Sequence, residues 1–135
     1  MSVPVTMESL RAEIDRHGSV AFLLSGGADG RPHCVQLAVT VEESGQLVVH
    51  PGRGTLANIA ERPLVSLLWP PVEPGGYSLI VDATASGSGE GVDARLFLAL
   101  GPTKAVLHRP AQPADSTGAG VSGGSDCVRV FNAAS

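Results

Sequence analysis

The stretch from His50 to Ile59, HPGRGTLANI, contains residue types that bind phosphate groups in proteins. Two glycines, an arginine and a threonine stand directly ahead of a short helix-like pattern. The N–H groups at a helix N-terminus attract anions, and a guanidinium forms paired hydrogen bonds with phosphate oxygens. The alternative is a tight turn between two strands, in which Arg53 is solvated and Thr55 is the N-cap of the helix. The residues alone favour the turn.

Hydrophobic periodicity predicts one helix ahead of this stretch. Leu10 and Ile14, four residues apart, give the segment from Met7 to His17 a narrow apolar stripe. Thr6 is the predicted N-cap, and Gly18 is the predicted stop. A helix of this length must lie against the rest of the domain.

Five or six short strands follow this helix. The segments that predict them are VAFLLS, HCVQLAVTVEE, QLVVH, LVSLLW and YSLIVDATASG, and turn residues such as Ala28-Asp29-Gly30 separate them. LVSLLW is interpreted as a fully or nearly buried strand. The Ser/Gly-rich segment SGSGEG is interpreted as a break before DARLFLALGPTKAVLHRP, which forms a sixth strand or a strand and its return. A short helix from Thr55 to Glu61, ended by Pro63, follows the third strand.

These elements predict one mainly β domain over residues 1–110, a small antiparallel barrel with helical additions. Aromatic residues make up only 4% of the 135-residue chain, so some apolar strand faces are expected to be covered by a second copy in a homodimer. Residues 111–135 are predicted to be a flexible Gly/Pro/Ser-rich tail. Within it, CVRVF at 127–131 either docks as a final strand or stays disordered.

Composition argues against several classes of function. The net charge is −4 and no basic stripe exists, so no nucleic-acid partner is expected. No apolar run approaches the ~20 residues needed to cross a bilayer, and no secretory signal is visible. We therefore expect no membrane partner, a cytoplasmic location, and reduced thiols at Cys34 and Cys127. No metal is predicted, because no metal-ligand spacing relates the four histidines, His17, His33, His50 and His108.

The order of the segments resembles the pyridoxamine 5′-phosphate oxidase-like split barrel, a family that includes flavin (FMN) and deazaflavin (F420) binding oxidoreductases. One part of the resemblance is AFLLSGGADGRPHCVQL, an apolar strand, a turn ending in Gly-x-Pro and a second strand. The other is GRGTLANIAERPLVSLL, a Gly/Arg-rich turn, a short Asn-containing helix and a proline before the next strand. The resemblance covers about residues 8 to 110. It implies a six-stranded antiparallel split β-barrel that dimerises, with the cofactor in a groove at the interface.

The resemblance also implies which residues contact the cofactor. Residues between His50 and Ile59 would bind its phosphate, and residues on neighbouring strands would contact its ring. The alternatives are an outward polar face for Gln36 and His50, a structural helix position for Asn58, and core or interface packing for Trp69. The predicted cofactor-binding residues are Gln36, His50, Arg53, Gly54, Thr55, Asn58 and Trp69.

One departure from the family pattern bears on the cofactor. Family members that bind a flavin phosphate commonly have a lysine at the position of Thr55 and a basic residue at that of Ala57, which leaves Arg53 as the only cation of the stretch. This slightly disfavours FMN relative to F420. The leading hypothesis is an FMN- or F420-binding oxidoreductase acting on an unknown small molecule. Hydride transfer by the cofactor requires no dedicated acid or base, so no catalytic residue is assigned. The second hypothesis is a cofactor-free dimer with a ligand-binding or structural role.

Overall fold

The computed structural model describes residues 1–91 and 93–111. The predicted tail beyond Ala111, with its possible strand at 127–131, lies outside these residues. The elements are β1 (Ser2–Val5), α1 (Met7–His17), β2 (Val20–Gly26), β3 (Pro32–Val41), β4 (Leu47–Val49), α2 (Arg53–Glu61), β5 (Leu64–Trp69), β6 (Ser78–Glu90) and β7 (Leu96–His108).

Six of the strands form a closed antiparallel barrel. The strand order is β7-β4-β3-β2-β5-β6, and the pairing of β6 with β7 closes the ring. The predicted six-stranded antiparallel split barrel with two helices is therefore confirmed. The strand β1 lies outside this ring and was not predicted, because its partner among the described residues is β7, about a hundred residues away, with Ser2 opposite His108.

The helix α1 has the bounds and both ends that the sequence predicts. The Thr6 side chain accepts a hydrogen bond from the backbone N–H of Ser9 at 3.2 Å. At the other end, the Gly18 N–H donates to the Ile14 carbonyl at 2.9 Å. Leu10 and Ile14 are buried in the barrel core, so the narrow apolar stripe is the face by which α1 packs.

The barrel core follows the alternation of the strands. On β3 the odd-numbered residues face inward, as the pattern from Val35 to Val41 predicts. The prediction that LVSLLW is a fully or nearly buried strand holds for only one face of β5. On β5 Val65, Leu67 and Trp69 are buried, whereas Leu64 is 72% exposed, because a barrel strand turns one face to the core and the other outward.

The segment SGSGEG is not a break, which corrects a second prediction. Residues 86–90 belong to β6 and pair with β7, with Gly87 opposite Ala99 and Glu90 opposite Leu96. Gly89 is closely packed, since an added Cβ would lie 3.2 Å from the ring of Phe97. The segment DARLFLALGPTKAVLHRP accordingly supplies one long strand, β7, without a return.

Gly18 is expected to be the residue on which the end of α1 depends. Its φ of 103° and ψ of 177° lie in a region that side chains strongly disfavour. We expect Gly18→Ala to lower the free energy of unfolding by about 1–3 kcal/mol in urea titrations. Gly87→Ala is the matched control, because its φ is not positive and an added Cβ there meets no atom within 4 Å. Equal losses in the two variants would contradict the prediction.

Candidate functional site

The barrel is split beside β3. Residues Pro32 to Ala38 pair with β2 on one side, but β4 reaches only Val39 to Val41 on the other. In the described part of the chain, no strand borders the remaining edge of β3. The segment that follows β4 enters α2 at this place, so backbone groups of β3 and the start of α2 face a common space.

A hollow of about 290 Å³ occupies this space, which we call the β3 hollow. Four of the seven predicted cofactor residues line it, namely Gln36, His50, Gly54 and Thr55. Because the hollow lies along the edge of β3, residues from both faces of the strand reach it. Its other lining residues are His33, Val35, Leu37, Pro51 and Gly52.

The N-terminus of α2 opens on the β3 hollow without a capping side chain. Gly52 is the N-cap, and the first helical hydrogen bond runs from the Leu56 N–H to its carbonyl at 3.2 Å. The first turn contains no acidic residue. The N–H groups ahead of Leu56 and the positive end of the helix dipole are therefore uncompensated by this helix's own side chains, which favours an anion or a carbonyl oxygen at this point.

The observed start of α2 shows that Thr55 is not the N-cap of this helix, which was the alternative to a phosphate-binding role. The helix begins at Arg53 rather than at Thr55, so Thr55 is its third residue and not the N-cap. Its side chain is 3% exposed and lines the β3 hollow. Arg53 is exposed at the first helical position and does not line the hollow, although its flexible side chain starts one residue from Gly52.

His50 is oriented by Leu96, the first residue of β7. Its Nδ1 lies 3.0 Å from the Leu96 carbonyl oxygen. A carbonyl only accepts, so Nδ1 carries the proton in this contact. In the neutral ring, Nε2 is then an acceptor, which could receive a hydrogen bond from a ligand N–H.

Besides Arg53, two further predicted residues do not line the β3 hollow. Asn58 is half-buried in α2, where its carbonyl accepts from the Arg62 N–H at 2.9 Å. Trp69 is fully buried in the core, and its indole N–H donates to the Gly18 carbonyl at 2.9 Å. For Trp69 this arrangement favours the packing alternative over ring stacking.

His33 lines the β3 hollow but was considered in the sequence only as a metal ligand. Its position could have been read from the alternation of β3, because His33 shares the parity of Val35, Leu37 and Val39. A histidine on the apolar face of a strand that borders a cleft is a candidate ligand contact. Its Nδ1 is buried and has no hydrogen-bond partner among the described residues.

Within residues 1–91 and 93–111, no three histidine, cysteine, aspartate or glutamate side chains come together as they would around a metal ion. Neither helix that the structure describes is long and apolar enough to cross a membrane.

Among curated proteins, the chain is similar to uncharacterized proteins of Mycobacterium bovis and Mycobacterium tuberculosis. Each is 48% identical over 71 residues, which is 50% of this chain and 49% of the relative. The aligned region thus spans about half the length of the curated relatives. No family model matches the sequence.

The solved structures similar to this chain share its barrel. A protein of the pyridoxinephosphate oxidase family from Clostridium acetobutylicum has a TM-score of 0.62 at 10% identity, over 80% of this chain and 93% of its own. An F420 reductase has a TM-score of 0.55 at 16% identity, over 64% and 88%. An FAD-binding protein from Mycobacterium smegmatis has a TM-score of 0.57 at 11% identity, over 81% and 100%. The fold is that of the pyridoxamine 5′-phosphate oxidase-like split barrel.

The contact with Leu96 makes the tautomer of His50 a testable property. We expect long-range ¹⁵N–¹H NMR spectra of the neutral ring to show the proton on Nδ1. A freely solvated imidazole prefers the Nε2–H form, so the two cases are distinguishable. An Nε2–H signal for His50 would contradict the contact.

Proposed function

We propose that the protein binds a flavin or deazaflavin cofactor in the β3 hollow and acts as an oxidoreductase on a small molecule. The observation that carries this proposal is the uncapped N-terminus of α2, which opens on the hollow at the split of the barrel. The similarity of the fold to an F420 reductase and to an FAD-binding protein supports the same class of cofactor.

The residues around α2 fit the phosphate of such a cofactor. The N–H groups of the first turn point outward from the helix start, and no carboxylate in that turn opposes an anion. The Thr55 side chain lines the same space and can donate its hydroxyl. Arg53 supplies the positive charge from the helix surface, and we propose that its guanidinium folds over the bound phosphate.

The residues along β3 fit the polar edge of a flavin-type ring. Gln36 offers an amide with both donors and acceptors, and the neutral form of His50 offers Nε2 as an acceptor. Val35 and Leu37 supply apolar surface at the same hollow. When bound, the cofactor would supply hydride transfer, and these residues would position it and exclude water.

The choice between FMN and F420 depends on how much positive charge the site provides. The resemblance implies basic residues at the positions of Thr55 and Ala57 in flavin-binding members of the family, so Arg53 is the main cation of the stretch from His50 to Ile59. A phosphate dianion, as in FMN, gains more from several cations than a phosphodiester monoanion does. We therefore propose F420 ahead of FMN.

A second copy of the chain is proposed to cover the outer face next to the site. Phe22, Leu68, Ile80 and Val106 are directly paired in register across β2, β5, β6 and β7 and form an outer apolar row. All four are half-buried outward-facing side chains. Gln36 stands opposite Phe22, so the row begins at the β3 hollow. A homodimer built on this row would enclose the cofactor from the partner's side.

The role proposed for Arg53 is tested by titrating the protein with FMN and F420. We expect Arg53→Gln to weaken binding about 10- to 100-fold, which is the usual value of a charged hydrogen bond. Arg16→Gln is the matched control, because Arg16 is also an exposed helix arginine but pairs with Glu13 on α1. Binding is measured by the change in the cofactor's absorption band during the titration.

Two outcomes of this titration would overturn parts of the proposal. Equal affinities of the Arg53 and Arg16 variants would remove Arg53 from the site. Absence of binding of either cofactor to the wild-type protein would favour the alternative, a cofactor-free dimer. The missing lysine at Thr55 is the observation that favours this second function.

The outer apolar row is tested by placing a charge at its centre. We expect Leu68→Glu to shift the protein from dimer to monomer in sedimentation velocity, because a carboxylate cannot be buried unpaired at an interface. Thr40→Glu, at an exposed outward position of β3, is the control. A wild-type monomer, or a Leu68→Glu dimer of unchanged stability, would contradict the proposed interface.

A further inference from the structure

Two residues that are paired across β2 and β3 each contain a buried polar atom without a partner among the described residues. Ser25 is 5% exposed, and its Oγ has no hydrogen-bond partner among the described residues. The same holds for Nδ1 of His33. Ser25 and His33 are directly opposite in the register of the two strands. Cβ atoms of such pairs are about 4.5–5.5 Å apart, so the two side chains are neighbours.

Both side chains lie on the inner face of the sheet. On β2, Ala21, Leu23 and Ser25 form the buried alternation, and a directly opposite residue on β3 faces the same side. Buried polar groups without partners are rare because the lost hydrogen bonds to water are not replaced. Rotation of the Ser25 hydroxyl between staggered positions would provide a partner for both atoms at once.

We propose that Ser25 and His33 form a hydrogen-bonded pair that directs an N–H of His33 into the β3 hollow. The Ser25 hydroxyl donates to Nδ1, so the single proton of the neutral ring is carried by Nε2. His33 lines the hollow, and with Nδ1 buried it is Nε2 that is left to reach it. His33 is then a ligand contact, and Ser25 is a positioning residue that acts through it.

The direction of this hydrogen bond agrees with the chemistry of the surrounding groups. The start of α2 presents N–H donors to the same hollow, so the ligand atoms that it attracts are acceptors. An Nε2–H on His33 adds one more donor for a carbonyl or phosphate oxygen. His50 is the complementary case, because its contact with the Leu96 carbonyl leaves Nε2 as an acceptor. His33 would thus donate to an acceptor atom of the ligand, and His50 would accept from a donor atom on the same edge of that ligand.

The pair itself is tested without any ligand, so this test is independent of the proposed function. Long-range ¹⁵N–¹H NMR of the free wild-type protein is expected to show His33 as Nε2–H with an Nδ1 signal shifted by an accepted hydrogen bond. Ser25→Ala is expected to remove that shift, and Ser25→Thr, which keeps the hydroxyl, to restore it. An Nδ1–H tautomer in the wild type, or an Nδ1 signal unaffected by Ser25→Ala, would overturn the proposal.

Thermal unfolding provides a second measurement. The change in melting temperature caused by Ser25→Ala has opposite signs when Oγ is paired with His33 and when it has no partner. If Oγ is paired with His33, Ser25→Ala lowers the melting temperature and Ser25→Thr lowers it less. If Oγ has no partner, Ser25→Ala removes a costly buried hydroxyl and raises the melting temperature. A rise would overturn the pair.

The ligand contact of His33 rests on the proposed function and is tested with FMN and F420. We expect His33→Leu to weaken binding about tenfold, and His33→Gln, which keeps a donor near the position of Nε2, to recover most of this loss. Equal affinities of wild type and His33→Leu would remove His33 from the ligand contacts. If neither cofactor binds the wild-type protein, the proposed function fails, while the tautomer spectra still decide the Ser25–His33 pair.

Discussion

Closure of the barrel depends on hydrogen bonding along both edges of β7. One edge pairs with β6 along nearly all of the strand, and the other is shared by β4 and β1. Strands of 13 residues would extend as a twisted ribbon if they were regular. Register shifts between Asp82 and Ala83, and between Ala85 and Gly87, bend β6 and β7 so that the ring can close. The other four strands of the ring, β4, β3, β2 and β5, lie between these two.

The barrel is split because β4 forms only a short part of the ring. With three residues it bridges β3 and β7 only near one end, and the chain then leaves the sheet for α2. An open strand edge and an uncapped helix start are brought together where the sheet is not continuous. Both need hydrogen-bond partners, and a small polar ligand can supply them. The site proposed above is thus built from backbone groups first and side chains second.

Both faces of the sheet contain apolar side chains. The core consists mainly of leucine and valine, with Trp69 as its one tryptophan. The outer apolar row adds a second hydrophobic layer on β2, β5, β6 and β7. Its member on β5 is Leu68, which contributes to the apolar pattern of LVSLLW that predicted a fully or nearly buried strand. In one copy of the chain the inner face is buried, and the outer apolar row is half-buried.

The sequence by itself determined the features that depend on neighbours a few residues apart. Thr6 and Gly18 set the ends of α1 through local hydrogen bonds, and the alternation of β3 assigned its inner face. The position of HPGRGTLANI beside a cleft followed from the order of segments that resembles the split-barrel family. Only the tertiary structure decided that residues 86–90 of SGSGEG belong to a strand, because their hydrogen bonds come from β7. It alone also set Ser25 opposite His33, since strand register brings together residues whose partners no local pattern reveals.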